Sequence, residues 1–134
     1  MKVSNLMIGD YVTVTPSGML IQIAATHKRK VAYHACTSKL SWVREGLLRP
    51  IPLTREILEK NGFVTFISSQ YTLPNCSAGV ILTTLKGMPN ATGKWLVAIK
   101  KGYTDAKITI TYVHQLQHAL RLCGIEKLHK QKLL

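Results

Sequence analysis

Acidic residues are scarce in this 134-residue chain, where six Asp and Glu stand against eighteen Lys and Arg, for a formal net charge of +12. No close pair of carboxylates suited to general acid–base catalysis is present, because Glu56 and Glu59 belong to one charged helical segment. Cysteines are few as well, and Cys36, Cys76 and Cys123 form no CxxC pair. This odd number of separated thiols favours buried or idle cysteines in a reducing compartment.

Long hydrophobic runs are also missing. The longest, around residues 19–25 and 80–85, are far too short to span a bilayer. No apolar segment follows Lys2, so we expect no signal peptide, a cytoplasmic location and no membrane partner. His34 and Cys36 would share one face of a strand, but no orienting acid or oxyanion motif accompanies them. Without a catalytic constellation or a phosphate-binding loop, we predict a protein that is not an enzyme and has no cofactor.

The first fifty residues predict a small β unit. Residues 11–15, 19–25 and 31–35 are rich in β-forming side chains and are separated by tight turns. Leu40, Trp42 and Val43 recur at spacings that fit either a short strand or a single turn. Several short strands in so few residues favour a small, strongly bent SH3-like β-barrel.

A short central helix follows. Pro50 and Pro52 keep the preceding backbone extended, so the helix begins after them. Thr54 is suited to the N-cap, Gly62 to the left-handed position that ends a helix, and we expect Phe63 to pack back on it. We therefore interpret this helix as a packing element between two β segments.

The remainder predicts an antiparallel meander and a last helix. The β-rich runs joined by short turns are residues 63–68, 70–73, 80–85, 95–99 and 107–111. Val113, Leu116, Leu120 and Cys123 form the apolar stripe of an amphipathic helix over residues 112–123, with Thr111 as its cap. The predicted fold class is α+β, arranged either as two units, 1–50 and 51–134, or as one domain.

The positive charge is spread over the chain: residues 1–50 carry +5, 51–62 zero, 63–111 +4 and 112–134 +3. Such an excess attracts polyanions in general, and its simpler explanation is a soluble, solvated surface. Basic residues lie near an aromatic residue in two predicted turns. The candidate nucleic-acid-binding residues are Lys28, Arg29, Lys30, Tyr33, Lys100, Lys101 and Tyr103. The alternative is that hairpin tips carry lysine for solubility. We expect Trp42 and Trp95 to lie in the core.

One pair of histidines has metal-binding spacing. His114 and His118 are four residues apart and share one face of the predicted last helix. A third ligand would have to come from His129 or Cys123. Two histidines on a polar helix face more commonly meet solvent or backbone, so the pair is a weak candidate and we predict no metal site.

Three segments are similar to one family of proteins. They are residues 51–63 without position 55 (IPLTxEILEKNGF), 112–124 (YVHQLQHALRLCG) and 6–12 (LMIGDYV). They resemble small uncharacterised proteins encoded in prophages and mobile elements of gut Bacteroidetes. The resemblance implies a non-enzymatic accessory or interaction protein of a bacterial mobile element, with an unidentified protein partner and no catalytic residues. The alternative function is a module that binds DNA or RNA through distributed Lys and Arg, and an enzyme is a remote third.

Overall fold

The structure is a computed structural model, and it divides the chain into two compact units, Met1–Ile51 and Pro52–Leu134. This boundary falls one residue after the predicted one. The residues it describes are 1–35, 39–67, 70–74, 79–85, 93–122, 124–125 and 133, without the side chains of residues 66 and 104. Its described elements are antiparallel sheets and two α-helices, so the α+β class is confirmed.

The described residues of the first unit form six short strands. They are β1 (Tyr11–Val14), β2 (Met19–Gln22), β3 (Ala25–His27), β4 (Lys30–His34), β5 (Leu40–Arg44) and β6 (Leu48–Arg49). They form two three-stranded antiparallel sheets, with the orders β2-β1-β6 and β3-β4-β5. A 3-10 turn, Glu45–Leu47, joins β5 to β6. Neither sheet closes on itself among the described residues, so the predicted SH3-like barrel is not confirmed.

Aliphatic side chains from both sheets form the core of this unit. The buried members are Val3, Leu6, Val12, Val14, Ile21, Ile23, Val31 and Leu48. Tyr33 and Val43 are partly buried and pack against this cluster. Burying a Val or Ile side chain contributes about 1.5–3 kcal/mol, so the cluster is the main source of the unit's stability. It also fixes which face of β4 and β5 points inward.

In the second unit, the residues that the structure describes form five strands of one antiparallel sheet. They are β7 (Val64–Ile67), β8 (Gln70–Thr72), β9 (Gly79–Thr84), β10 (Trp95–Lys101) and β11 (Thr104–Ile110). Each strand pairs with its neighbours in sequence, in the order β11-β10-β9-β8-β7. The predicted meander is therefore confirmed.

The first helix, α1 (Arg55–Lys60), begins and ends where the sequence predicts. Thr54 Oγ1 accepts a hydrogen bond from the backbone N–H of Ile57 at 3.3 Å. At the other end, the N–H of Gly62 donates to the Glu59 carbonyl and the N–H of Phe63 donates to the Leu58 carbonyl. This pair of bonds is a Schellman motif, and Gly62 takes the left-handed conformation it requires, with φ 89°.

The second helix, α2 (Val113–Arg121), begins differently from the prediction. Its N-cap is Tyr112 rather than Thr111. Gln115 Oε1 accepts hydrogen bonds from the backbone N–H groups of Thr111 at 2.8 Å and Tyr112 at 3.1 Å. A Gln at the third helical position can reach back in this way. Thr111 donates its N–H to Gln115 and is not the N-cap, so the prediction for it was wrong. Gly124 ends the segment in the left-handed conformation.

The starts of both helices lie side by side in the second unit. The N–H of Leu53 donates to the Thr111 carbonyl at 3.0 Å, and Pro52 forms a β-bridge with Tyr112. The indole N–H of Trp95 donates to the Leu53 carbonyl at 3.1 Å in a buried position. The short extended segment before α1 is thus fixed by two strand-like contacts and one side-chain bond. None of the described helices has both the length and the apolar character needed to cross a membrane.

Candidate functional site

The outer face of the sheet β3-β4-β5 carries an exposed tryptophan among basic side chains. Successive residues of a strand point to opposite faces, so the residues that alternate with the inward Val31 and Val43 face away from the core. On this outer face, Ala32 is paired with Trp42 and Lys30 with Arg44. The indole therefore has a small side chain as its cross-strand neighbour and cationic side chains in the adjacent pair.

Trp42 lies at the surface, contrary to the prediction that it belongs to the core. Its side chain is 48% exposed, whereas Trp95 is 5% exposed and the prediction is confirmed for that residue. The ring of His27, on β3, meets the Trp42 ring edge to face, with centroids 6.4 Å apart and an angle of 77°. Val31, Tyr33 and Val43 lie on the inward side of β4 and β5 and pack in the core, so the strand alternation directs Trp42 outward.

The hairpin between β3 and β4 places two more cations beside this face. His27 and Lys30 are the last paired residues, and Lys28 and Arg29 form the tip. Lys28 has a left-handed backbone, with φ 52°, as tight hairpin turns require. Both tip residues are exposed. The tip therefore presents its positive charge to solvent next to Trp42.

Glu45 is the one acidic residue that lines this surface. Its backbone N–H donates to the Arg29 carbonyl at 2.8 Å, and its Oε1 lies 3.9 Å from Arg29 Nε. Its Oε2 accepts a hydrogen bond from the N–H of Val3 at 3.1 Å. The Arg29 side chain is 89% exposed, so the ion pair itself contributes little to stability. The contacts of Glu45 instead hold the hairpin tip against the 3-10 turn and the N-terminal segment.

These elements border an open groove of about 1060 Å³. It is lined by Lys28, Arg29, Lys30, Trp42, Arg44, Glu45, Gly46 and Leu47. Four cations face one carboxylate, and the aromatic ring lies among them. Cations bind phosphate oxygens and an exposed indole stacks on planar rings, so the groove has the side chains that a nucleic-acid strand needs.

The candidate site residues that the sequence indicates are divided between the two units. Lys28, Arg29 and Lys30 line the groove, whereas Tyr33 points to the opposite face and packs against the core. Lys100, Lys101 and Tyr103 belong to the hairpin β10–β11 of the second unit, where Tyr103 is fully exposed. Trp42, Arg44 and Glu45 also line the groove, and none of the three is among the candidate residues that the sequence indicates. A strand alternation over residues 40–44 would have placed Trp42 and Arg44 on one face.

The histidine pair of α2 belongs to an aromatic contact. The rings of His114 and His118 have centroids 5.8 Å apart at an angle of 74°, and His114 stacks on Tyr112 at 5.9 Å and 9°. His114 is buried. Cys36, Cys123 and His129, which the sequence offered as further reactive or ligating residues, lie outside the described residues. Within the described residues, no three His, Cys, Asp or Glu side chains come together as a metal site would need.

No protein-family model, curated protein or solved structure matches this chain.

Proposed function

We propose that this protein binds nucleic acid through the groove on the outer face of β3–β5. The observation that carries the proposal is the half-exposed Trp42, which lies on one sheet face with Lys30 and Arg44. Nucleic-acid-binding surfaces combine cations that contact phosphates with aromatic rings that stack on bases. The groove has both kinds of side chain within a few strand positions.

The charge of the first unit is concentrated at the groove. Of the seven Lys and Arg residues in Met1–Ile51, four line it. With Glu45 as its one carboxylate, the groove carries a net charge of +3. A strand bound there would release counterions from its phosphates, and its affinity would fall steeply with salt. This concentration supports a defined binding surface over the uniformly charged surface that composition alone indicates.

The exposure of Trp42 also argues against a role in solubility alone. Lysine at a hairpin tip keeps a protein soluble without any aromatic partner. A large indole that stays half exposed gives up much of the apolar burial it could contribute, about 25 cal/mol for each Å² of its surface. A surface selected only for solubility would place a polar side chain at this position. A ring available to stack on bases accounts for the indole.

The proposal is tested by fluorescence anisotropy with a labelled oligonucleotide at about 50 and about 200 mM salt. The triple variant Lys28→Ala, Arg29→Ala, Lys30→Ala removes three groove cations, and we expect at least a tenfold loss of affinity at the lower salt. Lys94→Ala is the control, because Lys94 is an exposed lysine of the second unit. Absence of binding by the parent protein at low salt, or equal losses in the triple variant and the control, would reject the groove.

We also propose that Met1–Ile51 is an SH3-like small barrel. The chain passes from β2 to β3 without a turn, since the N–H of Ile23 donates to the Asp10 carbonyl and the N–H of Ala24 donates to the Ala32 carbonyl. One bent strand thus serves both sheets, which enclose a single core. An experimental structure in which the outer strands of the two sheets also pair would test the proposal.

An accessory role in a bacterial mobile element and a cytoplasmic location stay predictions that rest on the resemblance and on composition. Nucleic-acid binding is compatible with both. Recovery of the tagged protein from its native host, with and without nuclease treatment, would separate a nucleic-acid contact from a direct protein partner. Copurifying proteins that persist after nuclease treatment would favour the protein partner.

A further inference from the structure

We infer that the groove selects single strands over duplexes by stacking an unpaired base on Trp42. This inference rests on the proposed nucleic-acid binding and adds the kind of nucleic acid that is bound. It starts from the surroundings of the indole, which has Ala32 as its cross-strand partner and, one strand further, Ala25 in register with Ala32. Ala32 is fully buried, so the indole of Trp42 is the large exposed side chain of this row.

The exposed indole of Trp42 serves as a platform, and longer polar side chains lie in the neighbouring row. The adjacent row contains His27, Lys30 and Arg44, which are paired across the same three strands. Residues two apart on a strand are about 6–7 Å apart along it, a distance that an Arg or Lys side chain easily spans. A base stacked over the Trp42 row would thus have its phosphate within reach of Arg44 and Lys30.

Two other exposed apolar side chains belong to the same part of the first unit. Leu40 lies two residues before Trp42 on the same strand face and is 42% exposed, and Leu47 lines the groove and is 46% exposed. These side chains suit contacts with the faces of bases or sugars. The edge-to-face contact with His27 restricts the orientation of the indole before any ligand binds, which reduces the entropy lost on binding.

A duplex cannot use such a platform without disruption. Its bases are stacked and paired, and exposing one costs a few kcal/mol. Only its phosphates would remain available to Lys28, Arg29, Lys30 and Arg44. A single strand adds base stacking to the same phosphate contacts, and this stacking is tolerant of base identity because every base has a flat face. The preference for single strands should accordingly depend on Trp42, whereas the attraction to phosphate should not.

The test compares four labelled ligands of matched length with the full chain. They are oligodeoxythymidine and oligouridine of about 16 nucleotides, a DNA duplex of about 16 base pairs, and heparin, which has charge but no bases. For Trp42→Ala we expect about a tenfold loss of affinity for both single strands, with duplex and heparin affinities changed less than about twofold. Trp42→Phe retains a ring and should lose less. The intrinsic fluorescence of the parent protein should be quenched by single strands, and this quenching should disappear in Trp42→Phe.

The outcomes distinguish the inference from the function on which it rests. If the parent protein binds none of the ligands at low salt, both are overturned. If it binds single strand and duplex equally and Trp42→Ala changes neither, the proposed function stands and the inference is overturned. If Trp42→Ala loses as much affinity for heparin as for single strands, Trp42 only maintains the shape of the groove. This result also overturns the inference. A loss of about tenfold for oligouridine and oligodeoxythymidine alone would support the inference.

Discussion

The carboxylate of Glu45 lies 3.9 Å from the guanidinium of Arg29, and the backbone N–H of Glu45 donates to the Arg29 carbonyl at 2.8 Å. The same carboxylate accepts a hydrogen bond from the N–H of Val3. One acidic side chain therefore organises the edge of a groove whose other charged residues are all cationic. Glu45 holds the edge of the groove in place, but its negative charge weakens the positive potential there. A substitution that removes only the charge can separate these two effects.

Replacing Glu45 with Gln should tighten nucleic-acid binding. The amide oxygen of Gln can still accept the bond from Val3, so we expect the thermal midpoint to change by no more than about 2–4 °C. The groove charge rises from +3 to +4, and affinity at low salt should increase about two- to fivefold. Anisotropy titration checks the affinity and circular dichroism checks the fold. Unchanged or weaker binding in a folded variant would show that Glu45 does not face the ligand.

Removing two positive charges should weaken nucleic-acid binding by different amounts in the two basic hairpins. Lys28→Gln with Arg29→Gln removes two cations from the groove, whereas Lys100→Gln with Lys101→Gln removes two from the tip of β10–β11. In the second hairpin, Lys100 is paired in register with Asp105, which offsets part of its charge. We expect about a tenfold loss for the first pair and about twofold for the second.

Titrations of both double variants at the same salt concentration check this expectation. Far-ultraviolet circular dichroism confirms that each variant is folded. Equal losses would indicate that binding depends on total charge. A larger loss in the second hairpin would move the site to Lys100, Lys101 and Tyr103.

The sequence predicts this fold well where the signals are local. Thr54 and Gly62 bracket α1 because a hydroxyl cap and a left-handed glycine act within one turn of the helix end. The meander follows from β-rich runs joined by short turns. The cap of α2 was missed because the side chain of Gln115 reaches back to Thr111, a contact that the residue types near the helix start do not single out.

The groove was only partly predictable, because it depends on which face of a sheet is buried. Lys28, Arg29 and Lys30 form a visible basic cluster, and the sequence identifies them. The position of Trp42 depends on the pairing of β5 with β4 and on the core occupying the other face. A tryptophan is usually expected in the core. Only the register of β4 and β5 shows that Trp42 faces outward and that Tyr33 faces the core.

Replacement by Phe should affect stability at Trp95 and nucleic-acid binding at Trp42. Trp95 is buried, meets Tyr71 edge to face at 5.9 Å and donates its indole N–H to the Leu53 carbonyl. Trp95→Phe removes that donor and should lower the free energy of unfolding by about 2–3 kcal/mol. Trp42→Phe should change it by less than about 0.5 kcal/mol, because Trp42 is half exposed.

Urea denaturation monitored by circular dichroism measures both changes. Anisotropy with a single strand supplies the complementary measurement, in which Trp42→Phe should weaken binding and folded Trp95→Phe should not. A destabilisation by Trp42→Phe as large as that by Trp95→Phe would contradict the surface position of Trp42.

Gly62, which follows the C-terminal end of α1, should not tolerate substitution by alanine. Its φ of 89° lies where an L side chain is strained, although an added Cβ would meet no atom within 4 Å. Gly62→Ala should therefore lower the free energy of unfolding by about 1–2 kcal/mol through backbone strain alone. Gly46→Ala is the matched control, because Gly46 has the same open surroundings without a left-handed φ, and it should change stability by less than about 0.5 kcal/mol. Urea denaturation of both variants checks the difference. Equal losses of stability in the two variants would contradict a cost of backbone strain at Gly62.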